Sequence, residues 1–256
     1  MTMHSRGRYV AVAAFGALLG ISACAHNDAS LIVHGVLGPP QPQNGVCSYT
    51  ADPTQGEIST GTIDVGLLSS YTPEVLVGNQ LIARADNVNL KAETARITMQ
   101  GAVVHVDDTS NNEINSFTSL SSGFIDPGTG GAPGYGPIAL TLIDPKTAQA
   151  LQASLPKLGT KRVVARFTVF GQTAGGADIE SNEFQFPIDV CNGCLVQFPA
   201  DSNDPVLQAA QNGVPNCKAA SSSSGTTSVV PCVIGQDQAV DCRSCQGKDV
   251  CDPSKI

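Results

Sequence analysis

The stretch VVARFTVFGQTAGGADIESNEFQFPIDV, residues 163–190, decides the fold class. Its first eight residues alternate. Val163, Ala165, Phe167 and Val169 fall on one face, with Arg166 and Thr168 on the other. The last eight repeat the pattern, with Phe184, Phe186, Ile188 and Val190 set against Gln185 and Asp189. Successive side chains of a strand point to opposite faces, so each run predicts a half-buried strand. The glycine-bearing link GQTAGGADIES between them predicts a hairpin. Pro187 has no N–H to give to a ladder, which predicts a sheet edge or a bulge for the second strand.

Upstream, LIVHGVL (31–37), GTIDVGLL (61–68), EVLVGNQLI (74–82) and IALTLID (138–144) are further strand candidates, and FTSLSSGFID (117–126) is a weaker one. In ARITMQGAVVHV (95–106), Ile97 and Met99 occupy odd positions, whereas Ala102, Val104 and Val106 occupy even ones. The phase slips at Gly101, where a β-bulge or bend must absorb a residue. Helix is expected in two places. DPKTAQALQASL (144–155) offers Asp144 as N-cap and Pro145 in the first turn, and DPVLQAAQ (204–211) starts the same way. About seven short strands separated by turn residues predict a mainly β chain built as a two-sheet sandwich. At the level of architecture this resembles immunoglobulin- and fibronectin-like domains, although the chain has no tryptophan and so lacks the buried one of antibody domains.

The first residues set the compartment. Arg6 and Arg8 precede an apolar run, Tyr9 to Ile21, that is too short to span a bilayer, which takes about 20 residues. The run ends in Ile21-Ser22-Ala23-Cys24, which resembles the lipobox of bacterial lipoproteins. The resemblance implies that residues 1–23 are a cleaved signal peptide. It also implies that Cys24 is lipidated, that residues 24–30 tether the body to a lipid bilayer, and that Ala25 after the cysteine favours the outer membrane of the bacterial envelope. Several acyl chains anchor far more stably than one, because each buried methylene adds about 0.8 kcal/mol. Loss of residues 1–23 removes two arginines and no acid, taking the formal net charge from −8 to −10. So acidic a body is a poor partner for nucleic acid.

Eight cysteines remain: Cys47, Cys191, Cys194, Cys217, Cys232, Cys242, Cys245 and Cys251. An even count in an exported chain predicts structural disulfides. CNGC (191–194) and CRSC (242–245) also have the grammar of a four-thiolate metal site, or of a thiol redox centre. The immunoglobulin-like resemblance implies a first strand parallel to the last. If LIVHGVL fills that place, Cys47 meets Cys191 or Cys194. Residues 31–190 then form the sandwich. Residues 191–256, with the low-complexity KAASSSSGTTS (218–228), form a disulfide-stapled C-terminal appendix that cannot build a core of its own.

Catalytic patterns are scarce. His4, His26, His34 and His105 stand singly, with no second histidine at ligand spacing, and no G-x-S-x-G elbow occurs. The glycine-rich GTGGAPGYG (128–136) lacks the Lys-Ser/Thr of a phosphate loop and is expected to be a flexible connection. Asp107, Asp108, Asn111, Asn112 and Glu113 offer oxygens but match no calcium loop, and they predict a polar turn. The remaining candidates for a contact surface are the loops 50–60, 107–117 and 126–136 and the serine-rich stretch 218–228. The expectation is a non-catalytic, membrane-anchored envelope lipoprotein with a structural or binding role, no cofactor and an envelope protein as partner. The alternative is a thiol redox or metal-binding protein using the Cys-x-x-Cys pairs.

Overall fold

Alternation becomes burial in a computed structural model of the chain, which describes residues 30–43, 46–84, 93–198, 217 and 231–255. Cys24, His26, the segment 204–211 and the stretch 218–228 lie outside the described residues. The described elements are mainly β. Strands β1 (Leu31–Leu37), β2 (Glu57–Ile58), β4 (Glu74–Asn79) and β7 (Gly134–Ala139) form one sheet in the order β2-β1-β4-β7. Strands β3 (Gly61–Asp64), β5 (Ile97–Asp108), β6 (Glu113–Ile125), β8 (Thr160–Thr173) and β10 (Phe184–Cys191) form a second, ordered β3-β10-β8-β5-β6, with β9 (Asp178–Glu180) also on β8. A small parallel pair, β11 (Val196–Gln197) and β12 (Val240–Asp241), belongs to the C-terminal part.

The two large sheets pool their apolar faces into one cluster. Val75, Val77 and Ile138 come from the first, and Val104, Phe167, Ile188 and Val190 from the second. Burying a side chain of this size contributes roughly 1.5–3 kcal/mol. The helix α1 (Pro145–Ser154) adds Ala148 and Leu151, and Asp144 caps it by accepting from the Thr147 N–H at 3.0 Å. Buried Asn79 ties the sheets together: its Nδ2 donates to the carbonyls of Ala95 and Ile125 at 2.8 and 3.0 Å.

At Gly101 the register shifts against both neighbours of β5. A Cβ there would stand 2.2 Å from the Ser119 carbonyl oxygen, so only glycine passes. The hairpin of 163–190 is longer than its glycines suggest. The turn sits at residues 174–177, β9 already pairs with β8, and one extra residue is absorbed where Phe170 faces Glu180 but Phe167 faces Phe184. Ser181 fills the gap, its Oγ accepting from the Val169 N–H at 3.1 Å.

Several expectations need correction. β10 is an interior strand, between β8 and β3, with Pro187 one residue before the pairing with β3 begins at Ile188. The strand parallel to β10 is β3, not LIVHGVL, which pairs with β4 in the other sheet. Alternation tells which face of a strand is buried, and carries no information about its neighbours. The glycine-rich 128–136 is partly ordered strand, since β7 starts at Gly134 and pairs with β4 from there. The weakly patterned 117–126 belongs to a 13-residue strand.

Candidate site at the CNGC loop

β3 and β10 run side by side, and two acidic side chains, one buried and one half-buried, meet their edge. The first is Asp64, the last residue of β3, which is 0% exposed. Its Oδ1 accepts from the N–H groups of Gly66 and Gly193 at 3.0 and 2.8 Å, and its Oδ2 from the N–H of Leu195 at 3.1 Å. Those last two donors belong to the loop that leaves β10 as Cys191-Asn192-Gly193-Cys194-Leu195. A buried charge is tolerated only when such donors replace water. The loop is further held by the Val65 N–H donating to the Cys191 carbonyl at 2.8 Å, and by the Asn192 N–H donating to that of Gly159 at 3.1 Å. Gly193 takes φ +98°, a left-handed turn position that a side chain would strain.

Within this loop Cys191 and Cys194 are bonded to each other. The other bonds join Cys47 to Cys232, Cys217 to Cys242, and Cys245 to Cys251. The expected bond from Cys47 to Cys191 or Cys194 is therefore absent, because β1 and β10 lie in different sheets. The two Cys-x-x-Cys pairs also differ. The first closes on itself, whereas the second sends each sulfur elsewhere from a single 3-10 turn, Cys242–Cys245. No four-thiolate metal site forms from sulfurs committed in this way. Asp64, Cys191 and Cys194 bring three donor atoms within 4.8 Å of one another. They do not fit a metal either: both sulfurs are spent on their bond, and both carboxylate oxygens accept N–H groups.

The disulfides differ in what they close. In the chain-entropy picture the Cys47–Cys232 bond, 185 residues apart, contributes about 5 kcal/mol, and the Cys191–Cys194 bond, three residues apart, about 2 kcal/mol. Next to the loop lies a cleft of about 210 Å³, bordered by Gly66, Gln152, Lys157, Gly193 and Val250.

The second acid is Asp237, from the C-terminal part. The segment 235–237 extends the sheet beyond β3: the Asp64 N–H donates to the Gly235 carbonyl and the Asp237 N–H to that of Thr62, each at 2.9 Å. The edge of β3 is thereby covered. The Asp237 side chain accepts from the Thr62 N–H at 2.6 Å and from the hydroxyl of fully buried Tyr71 at 2.9 Å. Burial outweighs these bonds and pushes its carboxyl up to about 6. Tyr71 is pushed up as well, first by burial and then by the Asp237 charge. Gln236 beside it clasps Thr72: its side chain accepts from the Thr72 N–H at 3.0 Å and donates to the Thr72 carbonyl at 3.3 Å. The C-terminal part has its own small cluster of Val196, Val240, Cys242, Cys245 and Cys251, closed by Leu67 of the body.

The other singled-out residues are accounted for locally. The Asp108 carboxylate accepts from the N–H groups of Ser110 and Asn112 at 2.8 and 2.9 Å, and Asn111 takes φ +62°, so 107–113 is the β5–β6 turn. His105 pairs with Glu113 at 2.7 Å, and His34 with Glu57. Arg166 bridges buried Asp107 at 2.5 Å and Glu183 at 3.0 Å. Neither Asp64 nor Asp237 signals its distant role locally, since the Gly193 and Thr62 N–H groups they accept from lie 129 and 175 residues away. Among the described residues no helix is long and apolar enough to cross a membrane. The sequence matches no protein-family model and no curated protein.

Proposed function

We propose that the chain is a lipid-anchored module of the bacterial envelope: an immunoglobulin-like sandwich held off the outer membrane by Cys24, with a structural or binding role rather than a catalytic one. The observation that carries the domain reading is the strand order. The immunoglobulin-like resemblance implies that a strand from the start of the domain runs parallel to the last one. Here β1 joins β4 and β7, while β3 lies parallel to β10 in the order β3-β10-β8-β5-β6. The anchor reading rests on Ile21-Ser22-Ala23-Cys24, and four disulfides are in keeping with an oxidising compartment. A contact surface for an envelope protein is offered by the loops and by edge strand β6, where Leu120 and Phe124 are exposed.

The test is fractionation of cells expressing the full chain and its Cys24→Ser variant. The parent is expected in the membrane fraction and the variant in the soluble one. Equal membrane retention of both refutes the anchor. Co-purification of the tagged, lipidated chain from envelopes then identifies what it holds.

A further inference from the structure

We propose that the Cys191–Cys194 bond is an exchangeable disulfide that external thiols open at Cys194, while the other three bonds are fixed staples. The inference is independent of the membrane anchor. Three observations carry it. The bond spans only three residues of chain, so the fold does not depend on it for closure. The loop is held without it, because Asp64 takes the Gly193 and Leu195 N–H groups and β10 holds Cys191 in a ladder with β8 and β3. Access to the two sulfurs is unequal: Cys191 is 0% exposed, and Cys194 alone among the eight bonded cysteines is exposed.

The chemistry follows from that inequality. A thiolate from a small or protein thiol attacks the Cys194 sulfur, forms a mixed disulfide there, and displaces the Cys191 sulfur. The Asp64 carboxylate within 4.8 Å disfavours an anion at Cys191, so the departing sulfur takes up a proton from water. A second external thiolate attacks the donor sulfur of the mixed disulfide, and Cys194 leaves and is protonated. In sum, two thiols become one disulfide, and the Cys191–Cys194 disulfide becomes a dithiol, with two electrons and two protons transferred. Asp64 is a positioning residue here: it keeps the opened loop in the geometry of the closed one and keeps the Cys191 thiol protonated.

The experiment equilibrates the full chain in glutathione buffers of increasing reduced fraction, follows far-UV circular dichroism, quenches with acid, then unfolds and alkylates the protein and maps the labelled cysteines by mass spectrometry. Label is expected on Cys191 and Cys194 at reduced fractions where the other six cysteines remain bonded and the spectrum is unchanged. In Cys191→Ser the glutathione adduct is expected on Cys194, whereas in Cys194→Ser buried Cys191 stays unmodified. The variant Asp64→Asn keeps an acceptor oxygen and removes the charge, so in the Cys194→Ser background the ultraviolet thiolate absorbance of Cys191, which needs no reagent to reach the buried sulfur, is expected to appear at lower pH. Reduction of all four bonds together, reduction of Cys191–Cys194 only as the spectrum collapses, or an adduct on Cys191 overturns the proposal. An unchanged pH profile in Asp64→Asn overturns the role given to Asp64.

Discussion

Replacing Asp237 by asparagine tests how the C-terminal part is seated on the body. The folded carboxyl sits at about 6 against an ordinary 3.8, chiefly because burial penalises its charge. Among the described residues no cation offsets this rise. Tyr71 faces it directly, and Tyr49 and Glu74, both also pushed up, lie nearby. For an acid raised on folding, the stabilising contribution is complete below the unfolded value and is lost as pH rises through the folded one. A rise of this size corresponds to about 3 kcal/mol. Between pH 7.5 and pH 4, with the carboxyl only partly buried, about 2 kcal/mol of that remains to be measured. The asparagine side chain cannot titrate but keeps an oxygen for the Thr62 N–H. Urea unfolding of both proteins at pH 7.5 and pH 4 isolates the effect, because other titrating groups cancel in the difference. The parent is expected to gain about 2 kcal/mol on the variant as pH falls. A difference that is the same at both pH values, or one that moves toward the variant, refutes the account of a half-buried carboxyl whose loss of water outweighs its hydrogen bonds.

The remaining predictions address packing and stapling. Gly101→Ala drives a methyl into the Ser119 carbonyl and is expected to cost about 2–4 kcal/mol in urea unfolding, whereas Gly123→Ala, whose nearest neighbour would be Ile138 at 3.5 Å, changes stability by under about 1 kcal/mol. Removing the long staple with Cys47→Ala and Cys232→Ala together is expected to cost up to about 5 kcal/mol, read as a lowered melting temperature. Reduction strong enough to open the staples as well is expected to expose residues 231–255 to protease before residues 95–190, because every bond except Cys191–Cys194 has at least one sulfur beyond residue 216. Equal cleavage of both regions counts against the C-terminal part depending on its disulfides.

Local periodicity made most of the strands legible. β8 lies where alternation puts it, LIVHGVL is the strand β1, α1 begins at its Asp144-Pro145 start signal, and the slip of phase at Gly101 marks a real shift of register. Each of these is written in a dozen neighbouring residues. β7 was hidden because Gly134-Tyr135-Gly136-Pro137 has too few side chains to alternate, and its strand character comes from pairing with β4. The partner of Cys47 was hidden for a different reason. Between β1 and β3 the chain passes from one sheet to the other, and nothing in either segment says which of them will meet β10.

The acids that define the candidate site were illegible for the same physical reason, and the consequence reaches further than the site. Asp64 reads as the polar member of an alternating strand, and Asp237 as one more turn residue in GQDQ. Yet both end on β3, one holding the CNGC loop and the other completing the sheet edge from the far end of the chain. β3 has only four residues, and alone it would be a weak parallel edge strand. With β10 on one side and residues 235–237 on the other, its N–H and carbonyl groups are shared between the body and the C-terminal part. Loosening either neighbour leaves β3 with one flank unpaired. The stapled C-terminal part is therefore an integral margin of the larger sheet, and the Cys47–Cys232 bond fastens that margin at the point where it arrives.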